Sequence, residues 1–188
     1  MKRVILGFLP WIIYSVLANR GESGILHGAI IALVLTFILG RENLRKGFIL
    51  DWCTVVFFAF VLVVGVYLRH PFITQHPGLF ADGALAVITI GSLLVGIPFT
   101  IQYAREQITQ EHWNSPIFIR VNQILTLTWG IAFALSALIS WLLPLNVSTI
   151  LHIVLVAIAI LMTIRFPAWY RNQALKNRST EIMNSDVI

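Results

Sequence analysis

The sequence predicts an all-α protein, a polytopic transmembrane helical bundle that crosses the membrane about six times with both termini on the cytoplasmic side. Three observations support this prediction. Apolar residues make up 58% of the 188 residues and charged residues only 11%, well below the roughly 25% charged residues of an ordinary soluble domain. The apolar residues occur in long runs, and the basic residues lie between alternate runs. Lipid must therefore serve as the solvent for much of the chain.

Six apolar runs come near the roughly 20 residues that a helix needs to span the hydrocarbon core. None alternates apolar and polar residues with the period of two that barrel strands show, so each is predicted to be a helix. The predicted spans cover residues 4–18, 24–40, 47–68, 79–100, 121–143 and 147–166. Together they form one transmembrane domain, residues 1–170, followed by a polar, disordered cytoplasmic tail at residues 171–188.

The runs and their connections predict how the helices are arranged along the chain. The first run lacks the small-residue cleavage site of a signal peptide, and we interpret it as an uncleaved first span. Residues 19–23 and 144–146 are tight turns, so spans one and two, and spans five and six, are expected to form antiparallel hairpins. Small residues concentrate in span four, which predicts a central helix. Pro98 is expected to kink the end of span four, and residues 101–115 begin as a helical extension.

Positive charge is distributed unequally between the two sides of these spans. Basic loops stay cytoplasmic, so both termini are predicted to be cytoplasmic. Only Arg20 and Arg69 lie on the outer side, whereas the cytoplasmic side holds Lys2, Arg3, Arg41, Arg45, Lys46, Arg105, Arg120, Arg165, Arg171, Lys176 and Arg178. Amphipathic aromatic residues and basic residues favour the headgroup region, so the end of span six is expected to be anchored at the interface by Arg165, Trp169, Tyr170 and Arg171.

Ionisable groups within a membrane span are costly, which makes them candidate site residues. Asp51 lies about one turn into span three, and Asp82 about one turn into span four from the outer side. Each has two interpretations. Asp51 is either a helix-start carboxylate that pairs with Arg45 and Lys46 or part of a ligand or ion path. Asp82 is either a helix-start acid facing water or a polar site at the outer mouth of the bundle.

Two histidines lie at similar depths on the outer side, His27 in span two and His152 in span six. Imidazoles at one depth can ligate a haem, and a histidine with Asp82 can bind a divalent metal or relay protons. No paired spacing such as HxxxH supports a ligand set. We therefore predict no metal site and no cofactor, with haem b as the alternative. Catalytic motifs are also missing from the sequence, and enzymatic activity is not predicted.

Several short stretches together resemble one known family. They are Phe8-Leu9-Pro10, the basic turn after span two, Gly96-Ile97-Pro98-Phe99, and Arg120-Val121-Asn122 leading to Trp129 and Leu143-Pro144. In layout the chain resembles the bacterial intracellular septation protein A family, although Asn122 lies farther from Trp129 than in that family and the 101–120 connection is longer. The resemblance implies a small bacterial inner-membrane protein, associated with envelope biogenesis and septation, without established enzymatic activity.

The function predicted first is a non-enzymatic inner-membrane protein in envelope maintenance or septation. It would act through contacts with membrane lipids or with other envelope proteins. The chain could also form a homo-oligomer, and nucleic acid is not an expected partner. Two alternatives also stay open. One is a small transporter or channel subunit with a polar path that includes Asp82 and Asp51. The other is a haem-binding electron-transfer subunit that uses His27 and His152.

Overall fold

A computed structural model describes residues 2–185, with the side chains of residues 4–174 and of Lys176. Within these residues the chain is all-α and contains no strand, as the sequence predicts. The side chains of Lys2, Arg3 and Arg178, which belong to the predicted charge bias, lie outside the described part. The same holds for the last residues of the predicted tail, 186–188.

The helices follow one another with short connections. In chain order they are α1 (Lys2–Gly7), α2 (Leu9–Ala18), α3 (Glu22–Leu39), α4 (Arg41–Arg45), α5 (Ile49–Phe60), α6 (Pro71–Gln75), α7 (Pro77–Leu94), α8 (Phe99–Arg105), α9 (Pro116–Leu142) and α10 (Leu145–Ser185). Helix α5 continues as a π-helix over Val61–Tyr67, and a short 3-10 turn covers Gln110–His112.

Five helical segments are long and apolar enough to cross a membrane, and they match predicted spans two to six. They are Glu22–Leu39, Ile49–Tyr67, Pro77–Leu94, Pro116–Leu142 and Leu145–Ala174. The first predicted span, Val4–Ala18, is shorter, and its helix is interrupted at Phe8 between α1 and α2. Helix α2 packs on α3 and α9 packs on α10, which confirms the two predicted hairpins. Such helices are compatible with an integral membrane protein.

Loops that were predicted to share a side of the membrane lie together in the structure. At the basic end, formed by residues 40–48 and 99–115, Lys46 Nζ lies 2.8 Å from Glu106 Oε2. At the histidine end, formed by residues 68–78 and 143–148, Thr74, His76 and Leu143 line one cavity. The ring of His76 also lies 5.5 Å from that of Trp141 at the end of α9. The alternation that the charge count predicted is therefore present, while the orientation in a membrane stays a prediction.

Span four is broken, and the prediction of one kinked helix over residues 79–100 is wrong. Helix α7 ends at Leu94, where the Ile97 N–H donates to Ser92 O at 3.0 Å and the Gly96 N–H to Leu93 O at 3.1 Å. This is a Schellman cap, which needs a left-handed residue, and Gly96 supplies it with φ of 79°. Glycine thus stops the helix before Pro98 is reached, and α8 starts afresh at Phe99.

Helix α8 turns back into the bundle and is buried on most of its length. Phe99 and Tyr103 have no exposed surface. The Phe99 N–H donates to Ser92 Oγ at 3.1 Å, which joins α8 to the end of α7. The Thr100 hydroxyl donates to the carbonyl oxygen of Asn122 at 2.9 Å, which joins it to α9. The break in span four therefore places a short helix inside the basic end.

An aromatic core fills the space between the helices. It consists of Phe8, Trp11, Phe57, Phe99, Trp129 and Phe133, all buried. Phe8, at the interruption between α1 and α2, stacks on Trp129 with ring centroids 4.4 Å apart. Both indole N–H groups donate to threonine hydroxyls, Trp11 to Thr54 at 2.8 Å and Trp129 to Thr163 at 3.0 Å. Buried aromatic pairs contribute roughly 0.5–1.5 kcal/mol beyond the apolar area that they bury.

Helix α7 contacts α2, α5 and α9, as expected for the predicted central helix. Its glycines do not bring this about, because a Cβ added at Gly83 or Gly91 would meet no atom within 4 Å. The close approach comes from the partner helix, where a Cβ on Gly130 would lie 2.8 Å from Ile90 Cγ1. The glycine that this contact requires therefore lies on α9 and not on α7.

Helix α10 continues through Pro167 to Ser185, so the prediction of a disordered tail is wrong for residues 171–185. The predicted anchors lie on this helix beyond the packed region. Arg165, Trp169 and Arg171 are exposed and Tyr170 is partly exposed. The Phe166 ring contacts the rings of Trp169 and Tyr170 at 5.8 and 5.4 Å. Their role at a membrane interface stays a prediction.

We predict that Gly24→Ala destabilises the α2–α3 hairpin by about 1–3 kcal/mol, the usual cost of overpacking. A Cβ at position 24 would lie 2.1 Å from the backbone oxygen of Leu17, so the two helices must move apart. Unfolding of the purified protein in mixed micelles measures the effect. Gly83→Ala, which meets open space, is the matched control. Equal stability of the two variants would contradict the close packing of this hairpin.

Candidate functional site

Asp51 is buried at the basic end, with 5% of its surface exposed. The turn before α5 directs it inward. The Phe48 N–H donates to Asn43 O at 3.0 Å and the Gly47 N–H to Leu44 O at 3.1 Å, with Gly47 at φ of 73°. This second Schellman cap reverses the chain after α4. Residue 51 then falls in the first turn of α5 on the face that points into the bundle.

Two side chains from other elements donate hydrogen bonds to Asp51. The Tyr103 hydroxyl of α8 donates to Oδ2. The Asn43 amide of α4 donates to Oδ1 at 3.3 Å. Both carboxyl oxygens therefore accept a hydrogen bond from a neutral side chain.

The interpretation in which Asp51 pairs with the neighbouring basic residues is not what the structure shows. Lys46 pairs instead with Glu106. Among the residues that the structure describes, no salt bridge links Asp51 to Arg45 or to any other cation. Asp51 is therefore held by neutral donors and has no counter-ion among the described residues.

The packing of α8 against the start of α5 positions Tyr103. The side chain of Gln102 accepts the N–H of Ile49 at 2.9 Å, which fixes α8 against the start of α5. The Phe48 ring packs edge-on against the Tyr103 ring at 4.9 Å. Burial, together with the adjacent Asp51 charge, raises the pKa of the Tyr103 hydroxyl. The hydroxyl therefore keeps its proton at neutral pH and remains a donor to Asp51.

Two glycines give the Asp51–Tyr103 pair its space. A Cβ on Gly40 would lie 2.5 Å from Asp51 Oδ1, and a Cβ on Gly7 would lie 3.1 Å from the Tyr103 hydroxyl. The ends of α1 and α3 thus come close to the pair only because these residues have no side chain.

A cavity of about 360 Å³ opens beside Asp51, which is within the range of roughly 300–1,000 Å³ for small-molecule sites. We call it the Asp51 cavity. Its polar wall holds Asp51, Thr36 and Thr54, and Arg41 and Glu42 lie at its rim. Its apolar wall comes from α1 to α3 and includes Leu6, Pro10, Leu35, Ile38 and Leu39. The arrangement combines a buried negative group with an apolar, partly exposed flank.

Asp82 and His152 come together at the other end of the bundle, as their predicted depths allow. His152 Nδ1 lies 3.3 Å from Asp82 Oδ2. Asp82 is 5% exposed, and the His152 side chain is 28% exposed. The pair borders a narrow cavity of about 30 Å³, which is enough for about one water molecule. Helix α7 supplies the carboxyl group and α10 the imidazole.

His27 does not join this pair. It is exposed, and its Nδ1 lies 2.6 Å from the carbonyl oxygen of Ser23 on its own helix. No hydrogen bond, ion pair or ring contact described here links His27 to Asp82 or His152. In the described part of the chain, no three His, Cys, Asp or Glu residues are grouped so as to hold a metal ion.

Comparisons of this chain with protein-family models, curated proteins and solved structures find no match. The geometry of the two carboxyl sites is therefore what bears on function. Sequence reasoning selected Asp51 but missed Tyr103, Asn43 and Gly40. One signal for Tyr103 was present, because Phe99 and Tyr103 are four residues apart after a proline and so share one face of a short helix.

We predict that Tyr103→Phe destabilises the protein by about 1.5–3 kcal/mol, the range for hydrogen bonds to charged groups. The loss should be clearly smaller in an Asp51→Asn background, because the neutral amide has less to gain from the hydroxyl. A double-mutant cycle on detergent-solubilised protein measures this coupling. Tyr67→Phe, at a position that is 82% exposed, is the control. Additive effects of the two substitutions would show that the two side chains are not coupled.

Proposed function

We propose that the chain is a multi-pass protein of the bacterial inner membrane, with both termini cytoplasmic, that binds the headgroup of an aminophospholipid in the Asp51 cavity. It acts in envelope maintenance through this lipid and without enzymatic activity. The observation that carries the proposal is Asp51 itself. A buried acidic side chain without a described counter-ion borders a cavity large enough for a headgroup. A buried charge is costly unless it is paired.

The polar wall of the cavity is suited to an ammonium group. An ammonium has three donors and no acceptor, so it requires acceptors around it. Asp51 retains lone pairs beyond those used by Tyr103 and Asn43. The Thr36 hydroxyl donates to Ala32 O at 2.8 Å, which leaves its oxygen free to accept. Asp51 and Thr36 therefore both offer acceptors to an ammonium group in the cavity.

The rim and the flank are suited to the rest of a phospholipid. Arg41 lies at the rim, and a guanidinium binds phosphate with paired hydrogen bonds. Ile38 and Leu39 border the cavity and are 66% and 49% exposed, so acyl chains have an apolar surface beside the headgroup. Glu42 lies at the same rim, next to Arg41 in the chain. A headgroup that enters with its ammonium first would place the ammonium at Asp51 and the phosphate at Arg41.

The position of the cavity along the helices supports a lipid ligand over a soluble one. It lies at the basic end, between the end of α3 and the start of α5. Basic residues near helix ends favour the headgroup layer of the cytoplasmic leaflet. The resemblance to the septation protein A family supports envelope maintenance as the process.

We predict that the protein in nanodiscs retains phosphatidylethanolamine in preference to phosphatidylcholine and phosphatidylglycerol, as measured by native mass spectrometry. Choline carries no N–H donor and glycerol no positive charge, so neither satisfies Asp51. Asp51→Asn should reduce retention of phosphatidylethanolamine about tenfold or more, and Arg41→Gln less. Asp82→Asn, at the other end, is the matched control. Free ethanolamine and phosphoethanolamine should compete only weakly if the acyl chains contribute.

Retention of all three lipids to the same extent, or full retention of phosphatidylethanolamine by Asp51→Asn, would refute the lipid assignment. Strong competition by free ethanolamine would instead assign the cavity to a soluble amine. Arg41→Gln changes an exposed rim residue and does not depend on the packing around Asp51. It therefore separates loss of binding from loss of folding.

A further inference from the structure

We propose that Asp82 and His152 form a proton-binding pair. The pair takes up its proton from the histidine end of the bundle, independently of the Asp51 cavity. A carboxyl group and an imidazole at 3.3 Å share one proton readily, since each stabilises the charge of the other. When Nδ1–H points to Asp82, Nε2 is the atom that takes up the arriving proton. Uptake converts a buried negative charge into a neutral ion pair.

A second cavity brings a polar space within one helical turn of the pair. It has a volume of about 340 Å³ at the histidine end and is lined by polar groups that include Asn19, Thr74 and His76. Gly78 and Ser148 also line it, and they precede Asp82 and His152 by four residues on the same helices. One helical turn, about 6 Å of rise, therefore separates this cavity from the pair.

The aromatic core closes the route on the other side. The narrow cavity beneath the pair is bordered by Phe8, Trp11, Trp129 and Phe133. Phe8 contacts Trp129 and Phe133 with ring centroids at 4.4 and 5.4 Å. With room for about one water, this cavity cannot hold a water chain across the apolar rings. The pair is thus reached from the histidine end.

Few other groups can titrate nearby. The narrow cavity is lined by α1, α2, α7, α9 and α10, and among its lining residues Asp82 and His152 alone are ionisable. The polar side chain that α2 presents there is Ser15. In the wider cavity the one ionisable lining residue is His76. A pH-dependent change in the fluorescence of the core indoles is therefore assigned to the pair. His76 is the other ionisable group nearby, and a variant has to exclude it.

The fluorescence of Trp11 and Trp129 tests the proposal, because both indoles border the same narrow cavity as His152. The other four of the six tryptophans are replaced by Phe, so that these two indoles alone are observed. Protein is reconstituted into vesicles, and the pH is changed on one side at a time. Orientation is read from the labelling of Asn19→Cys in a Cys53→Ser background. We expect a fluorescence transition only when the pH changes at the histidine end. His152→Gln should abolish it, whereas His27→Gln and His76→Gln should retain it.

Asp82→Asn should retain a transition but move it to lower pH, because an amide stabilises a neighbouring imidazolium less than a carboxylate does. A transition that survives His152→Gln, or one that responds equally to both sides, would overturn the proposal. If His152→Gln does not fold, ¹⁵N spectra of histidine-labelled wild-type and Asp82→Asn proteins provide the same comparison. An imidazole that stays neutral across the range would then refute proton binding. Phosphatidylethanolamine retention by these variants stays unchanged, so failure here leaves the Asp51 assignment intact.

Discussion

A carboxyl group inside an apolar bundle has to be supplied with hydrogen-bond donors, and this requirement at Asp51 organises the basic end. Its donors come from α4 and α8, which are far apart in the chain, and glycines at the ends of α1 and α3 leave room for them. Tyr103 reaches Asp51 only because span four is interrupted at Gly96 and α8 turns inward. The helix break, the two glycine caps and the Asp51 cavity are therefore parts of one arrangement.

The sequence predicted the features that follow from apolar length and loop charge. Spans two to six, the two hairpins and the grouping of loops at two ends agree with the structure, because periodicity and charge act locally along the chain. The break after Leu94 was not predicted. A kink was expected at Pro98, whereas Gly96 supplies the left-handed residue that ends the helix. The tail was misread as well, because its polar composition does not prevent it from extending α10.

Of the candidate site residues, sequence reasoning found the acids but not their surroundings. Asp51 and Asp82 stood out because charge is scarce within the spans. His152 was matched to His27 by depth, and a pair of Asp82 with a histidine was left as one possibility. His27 has the same depth yet lies on an exposed face, because depth does not specify the angle around a helix. Tyr103 and Asn43 were missed for the same reason, since contacts between elements 52 and 8 residues apart depend on tertiary packing.

Helix α10 is bound mainly through one neighbour, α9, and only 17% of its most apolar stretch is buried, compared with 44% for α9. It also follows the other described helices along the chain. Until it docks, Asp82 lacks the imidazole of His152 and the Trp129 indole lacks the hydroxyl of Thr163. A chain that stops after α9 therefore displays two buried polar groups without these partners. Docking of α10 thus changes the chemistry inside the bundle, because it supplies a hydrogen-bonding partner to a buried carboxyl group and to a buried indole.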